Sequence, residues 1–241
     1  MQALALSCAM ILHGVAGFTI FPAATRNSYH NKLATHHEMS PCEEEWIPLC
    51  DNGAVKKKIL EEGSGDALAQ PGSEVEVDYV GTLGEQDWSV EDVVECWLKN
   101  QQGLDAVAPA FLSSGVDGTM LMDSSIFTDE FVTNELCVSN KIQCKKLIMA
   151  SKRLAKQQQD FPVGTEFDSS AERGPYKFTL GKGKSIQAYE LCVPTMKYGE
   201  RSLLLCRSDY AYGAEGFRRK TGEVIVPPFA TLCFDIKLLK C

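Results

Sequence analysis

The histidines of this 241-residue chain all lie near its beginning. His13, His30, His36 and His37 fall within the first 37 residues, and no histidine follows them. Ser-His-Asp and Cys-His nucleophile systems need an imidazole in the folded part of the chain, and so does metal ligation by histidine. We therefore predict that chemistry in the region after Trp46 proceeds without a histidine base.

A glycine-rich segment has the residue types of a phosphate-binding loop. The segment G-K-G-K-S, Gly181 to Ser185, contains the end of a phosphate-binding loop motif. The complete motif requires another glycine five residues before the glycine of G-K-[ST]. That position is Phe178, so the sequence excludes nucleotide binding through this loop.

The ten cysteines are scattered, and no two of them form a C-x-x-C pair. We interpret most of them as small core residues, since four fall inside periodic apolar segments: Cys96, Cys144, Cys206 and Cys233. Cys42 and Cys50 form a disulfide only if the compartment is oxidising.

The overall composition predicts an ordinary globular chain. Hydrophobic residues make up 44% and charged residues 23%, enough for one large or two small cores. The net charge of −8 gives no general attraction to a phosphate backbone. Nucleic acid is therefore not an expected partner.

The N-terminus has the composition of a targeting segment. Residues 1–17 are uncharged and mostly apolar and end in small residues, which predicts a cleaved signal, with a membrane anchor as the alternative. Residues 18–45 begin with an acid-free stretch to His37. They are similar to the transit part of the bipartite presequences of complex algal plastids; the alternative is a disordered linker after a secretory signal. We expect a secretory or plastid location rather than a cytoplasmic one.

Short alternating runs predict the elements that position any site. Hydrophobic and polar residues alternate over 75–79, 176–180 and 232–238, and residues 201–207 read as a more fully buried strand. A single short helix candidate, Ser185–Val193, lies among them. The pattern predicts an α+β fold, an antiparallel sheet with one helix on one face.

Five ordered blocks carry a family resemblance: G-T-E-F-D-S-S (164–170), G-P-Y-K-F-T-L-G-K-G (174–183), M-K-Y-G-E-R (196–201), R-S-D-Y-A-Y-G (207–213) and V-P-P-F-A-T-L-C-F-D-I-K-L-L-K (226–240). They resemble FK506-binding peptidyl-prolyl cis-trans isomerases, or rotamases. The resemblance covers residues 46–83 and 164–241 and implies a half-barrel sheet wrapped on one short helix. It also implies proline-containing peptides or proteins as substrates and a macrolide of the FK506 type as a ligand.

The family's pocket can be carried over onto this sequence. The resemblance implies catalytic roles for Asp168, Tyr212 and the backbone N–H of Ile186. It implies substrate binding by Tyr79, Phe167, Tyr176, Tyr189, Ile225, Val226 and Phe234. An apolar pocket that excludes water eases rotation about an X–Pro bond, and donors held for the twisted amide stabilise it. No metal and no cofactor is expected.

Four features depart from the family: Ser185, Tyr189, Pro194 and the loop from Gly213 to Val226. Tyr189 stands where tryptophan is usual, so the pocket floor is smaller and contains a hydroxyl that needs a partner. The loop from Gly213 to Val226 is longer than in the shortest members and carries Arg218, Arg219 and Lys220. This basic cluster either selects acidic substrates or is a solvated loop tip.

About 80 extra residues, 84–163, replace the tight hairpin expected after G-T-L. Their hydrophobic residues recur at helical spacing over Val90–Leu98 and again over Cys144–Leu154, and Ser89 with Asp92 predicts a capping box. We predict an inserted all-α bundle with a core of its own.

The insertion resembles a five-helix sterile alpha motif (SAM) domain in the segments W-S-V-E-D-V-V-E-C-W-L (88–98), A-P-A-F-L (108–112) and V-D-G-T-M-L (116–121). This implies a protein partner or self-association through 84–163. We further expect the module to recruit substrate or to gate the pocket. Deleting residues 85–163 is then expected to spare turnover of a short peptide but to depress turnover of a protein substrate. The alternative is a catalytically weak binding or scaffold protein that assembles through this module.

Overall fold

The computed structural model describes residues 45–241. The predicted signal and transit segments lie outside these residues except for Glu45, and so does Cys42. Within the described part of the chain, no helix is long and apolar enough to cross a bilayer.

Eleven strands occur in the described residues. They are β1 (Ile47–Pro48), β2 (Val55–Glu61), β3 (Ser64–Leu68), β4 (Glu74–Leu83), β5 (Glu166–Ser169), β6 (Tyr176–Thr179), β7 (Lys197–Tyr198), β8 (Arg201–Cys206), β9 (Phe217–Arg218), β10 (Val224–Val226) and β11 (Leu232–Lys240). The alternation predicted around residues 75–79, 176–180 and 232–238 is confirmed by β4, β6 and β11, whose inward side chains are buried.

The main sheet is antiparallel and has the strand order β1-β2-β8-β11-β4-β5, with β6 also pairing with β4. The two central strands, β4 and β11, come from opposite sides of the insertion in the sequence. The segments before and after residues 84–163 therefore build one antiparallel sheet.

Six α-helices complete the described residues: α1 (Val90–Asp92), α2 (Ala108–Ser114), α3 (Gly118–Met122), α4 (Asp129–Asn134), α5 (Lys141–Asp160) and α6 (Gln187–Cys192). The short helix predicted at Ser185–Val193 is α6. It buries Ala188, Tyr189 and Cys192 against the sheet, because these positions share one helix face.

The helices α1 to α5 of the insertion enclose a hydrophobic core that is separate from the core of the sheet. The predicted capping box is confirmed: Asp92 N donates to Ser89 Oγ and Ser89 N to Asp92 Oδ2, both at 3.1 Å. The buried stripe of α5 is also the predicted one, Cys144, Leu147, Ile148, Ser151 and Leu154.

Three local expectations differ from the structure. The helix predicted over Val90–Leu98 is α-helical for three residues only, then widens into π-type hydrogen bonding at Val93–Trp97 and tightens into a 3-10 turn at Leu98–Asn100. Strand β8 is not fully buried: it alternates, since Leu203 and Leu205 face the less covered side of the sheet. Cys233 is half-buried because it points to that same side, whereas Cys96, Cys144 and Cys206 are buried as predicted.

Candidate functional site

The middle of the sheet brings aromatic rings together above a glycine. Phe234 of β11 lies opposite Gly81 of β4, and Gly81 lies opposite Asp168 of β5. A Cβ atom on Gly81 would come within 2.7 Å of the Phe167 ring and 3.0 Å of the Phe234 ring. A glycine is needed at this position because any side chain would push the two rings apart.

These rings form one wall of a cavity of about 790 Å³. Eight of the ten residues that the sequence analysis assigned to the site line it: Tyr79, Phe167, Asp168, Tyr176, Ile186, Tyr189, Tyr212 and Phe234. They come from β4, β5, β6, β11, α6 and its N-cap, and the turn after β8. Residues from both sides of the insertion therefore meet in one hollow.

Edge-to-face contacts fix the aromatic wall. The centroid of the Phe234 ring lies 5.0 Å from that of Tyr189, 5.7 Å from Phe167 and 6.3 Å from Tyr79, with interplanar angles of 64–83°. Phe167 in turn meets Tyr212 at 6.4 Å and 89°. Pairs in this geometry contribute about 0.5–1.5 kcal/mol each beyond their burial, so these contacts stabilise the arrangement of the rings.

Tyr189, which the resemblance assigns to the pocket floor, lines the cavity and is only 3% exposed. Its hydroxyl is buried and has no hydrogen-bond partner among the described residues. Burial is the main cause that raises the pKa of Tyr189 well above its ordinary value, so the phenol stays neutral. The Tyr189 hydroxyl was predicted to need a hydrogen-bond partner, and it has none among the described residues.

Asp168 lies at the rim in a network of hydrogen bonds. The Tyr79 hydroxyl donates to Asp168 Oδ2 at 2.6 Å, and the Arg173 guanidinium donates to Oδ1 and, at 3.0 Å, to the Tyr79 hydroxyl oxygen. Partial burial raises the pKa of Asp168, but the hydrogen bonds from Arg173 and Tyr79 outweigh it and leave the pKa below its usual value. Asp168 is therefore a fixed carboxylate near neutral pH.

Two donors of the cavity make no hydrogen bond within residues 45–241. One is the Tyr212 hydroxyl, and the other is the backbone N–H of Ile186, the N-cap residue of α6. Burial raises the pKa of Tyr212, so its proton is retained at neutral pH. Both groups are free to donate to a bound molecule.

Ile225 and Val226 do not line this cavity. They belong to β10, which pairs with β9, and Val226 is buried in the core of the sheet. The basic cluster of the long loop lies outside the cavity lining and is exposed, and one of its members, Arg219, pairs with Glu223 at 2.8 Å.

Sequence reasoning missed Arg173. Its only signal is that it follows Asp168 by five residues, just before the Gly174-Pro175 turn that can fold it back on the strand. Other polar residues of the lining were also missed, among them Lys184, Gln187 and Asp209. Lys184 follows the block 174–183 directly and Gln187 is next to Ile186, whereas Asp209 lies inside the block 207–213 but was given no role there.

Comparison with known proteins identifies the family of this chain. The sequence model described as FKBP-type peptidyl-prolyl cis-trans isomerase matches residues 153–239. The chain is 45% identical over 78 residues to the peptidyl-prolyl cis-trans isomerase Fkbp12 of Drosophila melanogaster, a match that covers 32% of this chain and 68% of that protein. It is 46% identical over 77 residues to FK506-binding protein 1 of Yarrowia lipolytica, with 32% and 67% covered. The chain belongs to the FKBP-type peptidyl-prolyl cis-trans isomerase family.

Longer relatives match over the same length. FK506-binding protein 59 of Drosophila melanogaster is 49% identical over 77 residues, which are 32% of this chain but 16% of that protein. The crystal structure of the three FKBP domains of wheat FKBP73 aligns with a TM-score of 0.44 and 19% identity, covering 81% of this chain and 49% of that one.

Proposed function

We propose that this chain is an active peptidyl-prolyl isomerase that binds the proline ring of its substrate in the aromatic cavity. The observation that carries the proposal is the convergence of Phe167, Tyr189 and Phe234 beside two unpaired donors, Tyr212 and the Ile186 N–H. An apolar hollow with a few convergent polar groups is what a binding site for a small ring requires.

The cavity would act on the amide electronically. The barrier to rotation about X–Pro is about 18–20 kcal/mol because resonance gives the C–N bond double-bond character. Water favours the charge-separated, planar form, so removing the amide from water lowers the cost of twisting it. A reduction of about 5 kcal/mol would accelerate rotation several thousandfold.

Preorganised hydrogen-bond donors would lower the rotation barrier further by stabilising the twisted amide. The Tyr212 hydroxyl donates to the carbonyl of the twisting amide, and the Ile186 N–H donates to a neighbouring carbonyl. Asp168, held by Arg173 and Tyr79, keeps the rim in place. The reaction makes and breaks no covalent bond.

Turnover of a short X–Pro peptide by variant proteins tests this proposal. Tyr212→Phe removes one donor and is expected to lower kcat/KM about three- to tenfold, the value of one neutral hydrogen bond. Asp168→Val leaves Arg173 without its carboxylate partner and is expected to lower kcat/KM by more than Tyr212→Phe does. Tyr198→Phe, an exposed tyrosine outside the cavity lining, is the matched control. Equal activity of all four proteins would exclude this cavity as the site.

The family's ligands define a second test of the same cavity. We propose that an FK506-type macrolide competes with the peptide, because both place a ring between Tyr189 and Phe234. Competitive inhibition is expected, and inhibition without any change in apparent KM would contradict a shared site.

We propose in addition that the insertion, with its SAM-like sequence pattern, mediates self-association. Helix α5 carries six basic residues and one acidic residue, whereas residues 87–140 carry one basic and ten acidic residues. None of the six basic side chains forms an ion pair within the described part of the chain. Ile142 and Met149, 69% and 55% exposed, lie on one helix face between these basic side chains.

Such a surface complements the acidic helices of a second copy. Light scattering at low and high salt tests this: association is expected at low salt and loss of association at high salt, because salt screens exposed charges. The variant Lys145→Glu/Lys152→Glu is expected to remain monomeric, and Lys182→Glu, outside the insertion, serves as control. A monomer under all conditions would rule out self-association through α5.

A further inference from the structure

A buried guanidinium joins the insertion to the turn that carries Tyr212. Arg207 follows β8 directly, and its side chain is 7% exposed. Its Nε and Nη2 atoms donate to the two carboxylate oxygens of Asp209, each at 2.7 Å. Its Nη1 atom donates to Oδ1 of Asp92, the last residue of α1. One cation therefore links the first helix of the insertion to the wall of the cavity.

A second buried contact lies beside the first. Cys96 Sγ and Ser208 Oγ are 3.0 Å apart, and both residues are buried. Burial raises the pKa of the Cys96 thiol, so it packs against Ser208 as a small neutral group. Asp92 and Cys96 are one helical turn apart, so a single face of this helical segment holds both Arg207 and Ser208.

The segment that they hold forms part of the cavity. The carbonyl of Ser208 accepts the backbone N–H of Ala211 at 2.9 Å and of Gly213 at 2.7 Å. Between these anchors, Tyr210, Ala211 and Tyr212 line the cavity. Because the turn is closed by hydrogen bonds to Ser208, a shift of Ser208 also shifts Tyr212.

The insertion also contacts the chain at Phe229, after the long loop that follows Tyr212. Phe229 packs against the core of the insertion, and its carbonyl accepts a hydrogen bond from Gln86 Nε2 at 2.8 Å. Its φ of 61° is a left-handed conformation that costs a phenylalanine about 1–2 kcal/mol, so these contacts must hold it there. Its N–H donates to the carbonyl of Gly213 at 3.0 Å, directly after Tyr212.

We propose that the inserted helices position the Tyr212 wall of the cavity, with Arg207 and Asp92 as positioning residues for prolyl isomerisation. This inference rests on the isomerase function proposed above. The intact pair holds the Tyr212 hydroxyl where it reaches the twisting carbonyl. A change in the insertion that releases Asp92 lets the turn move, and turnover falls although no residue of the cavity lining has changed. Binding of another molecule to the insertion would change turnover through the same contacts.

The variant Asp92→Asn tests this inference. The amide oxygen can still accept the Ser89 N–H and cap the helix, but the charge that faces Arg207 is gone. We expect kcat/KM for a short X–Pro peptide to fall about three- to tenfold, within the range of measured couplings between residues, and the NMR signals of the Tyr212 ring to shift. Asp92→Glu, which keeps the charge, is expected to recover part of the activity.

Glu95→Gln is the matched control, because it breaks the exposed Lys99–Glu95 pair in the same segment without contacting Arg207. Wild-type kcat, KM and Tyr212 signals in a folded Asp92→Asn protein would overturn the inference, even if that protein unfolds at a lower temperature. Should Asp92→Asn fail to fold, Cys96→Ala, which removes the thiol contact with Ser208, carries the same expectation and the same contradicting result. A wild-type protein without turnover would refute the proposed function, whereas the Tyr212 signals would still decide the positioning role.

Discussion

The side chain of Tyr189 lines the cavity and is at odds with its apolar surroundings. Tyr189 replaces the tryptophan usual in the resembling family, and its buried hydroxyl has no hydrogen-bond partner within residues 45–241. A buried polar group without a partner costs about 1–3 kcal/mol. The floor is therefore less stable than it would be with a purely apolar ring.

Tyr189→Phe is expected to raise the free energy of unfolding by about 1 kcal/mol, because it removes this hydroxyl and keeps the ring. Urea denaturation measures the change. Tyr79→Phe is the contrasting variant: its hydroxyl donates to Asp168, so its removal is expected to destabilise the protein. Destabilisation by Tyr189→Phe would mean that the hydroxyl has a partner in solution.

The pH dependence of the free energy of unfolding tests the hydrogen bonds that hold Asp168 at the rim of the cavity. The pKa of Asp168 is lowered in the folded state, since hydrogen bonds from Arg173 and Tyr79 outweigh its partial burial. A carboxylate with a lowered pKa adds stability above its unfolded pKa of about 4, and this is lost as the pH falls through the lower folded pKa. The stability advantage of wild type over Asp168→Asn should therefore shrink as the pH falls below about 4. A constant difference in acid would show that the carboxylate is not held as described.

At the residue scale, the sequence was informative where a motif was complete. Phe167, Asp168, Tyr176 and Tyr212 were predicted from ordered motif blocks, and the structure places all of them at one cavity. Arg173 was missed because no spacing rule distinguishes a basic side chain that folds back on a carboxylate from one that points to solvent. Such a contact depends on the path of the Gly174-Pro175 turn, which the sequence does not specify.

At the scale of elements, the register of β4, β5 and β11 determines the shape of the cavity. Gly81 lies between Asp168 and Phe234 in the sheet, and the rings of Phe167 and Phe234 close over it. A two-residue period predicts which side chains face inward, but it does not predict that a glycine leaves room for two rings.

Gly81→Ala is expected to lower the free energy of unfolding by about 1–3 kcal/mol and to raise KM, because the new methyl group overlaps the Phe167 and Phe234 rings. Urea denaturation and peptide kinetics measure the two effects. Val80→Ala, next to it and 38% exposed, is the control and should stay within about 0.5 kcal/mol of wild type. Unchanged stability and KM for Gly81→Ala would contradict the packing described.

The helical elements show where periodicity fails. The stripe of α5 was predicted correctly because five apolar or small positions recur over three turns. The segment Val90–Leu98 has the same kind of pattern, yet it changes from α to π to 3-10 hydrogen bonding. In this segment, contacts with Arg207 and Ser208 accompany the change, and such tertiary contacts are invisible in a pattern of hydrophobic residues.

For the whole molecule, two hydrophobic cores are joined by direct contacts rather than by a flexible tether. Arg207–Asp92, Ser208–Cys96 and Gln86–Phe229 connect the insertion to the sheet beside the cavity. The sequence predicted an independent module whose deletion spares turnover of a short peptide. These contacts change that expectation: deleting residues 85–163 removes Asp92, Cys96 and Gln86 together, so turnover of short peptides should fall as well.

The most direct test of the central claim is the rate of cis–trans exchange in a short X–Pro peptide, measured by NMR with and without catalytic amounts of the protein. Uncatalysed exchange takes tens to hundreds of seconds at room temperature. If the cavity twists the prolyl amide as proposed, exchange becomes faster in proportion to the protein added, and an FK506-type macrolide abolishes the acceleration. Exchange at the buffer rate in the presence of folded protein, with the peptide nevertheless bound in the cavity, would show that the site binds proline without isomerising it.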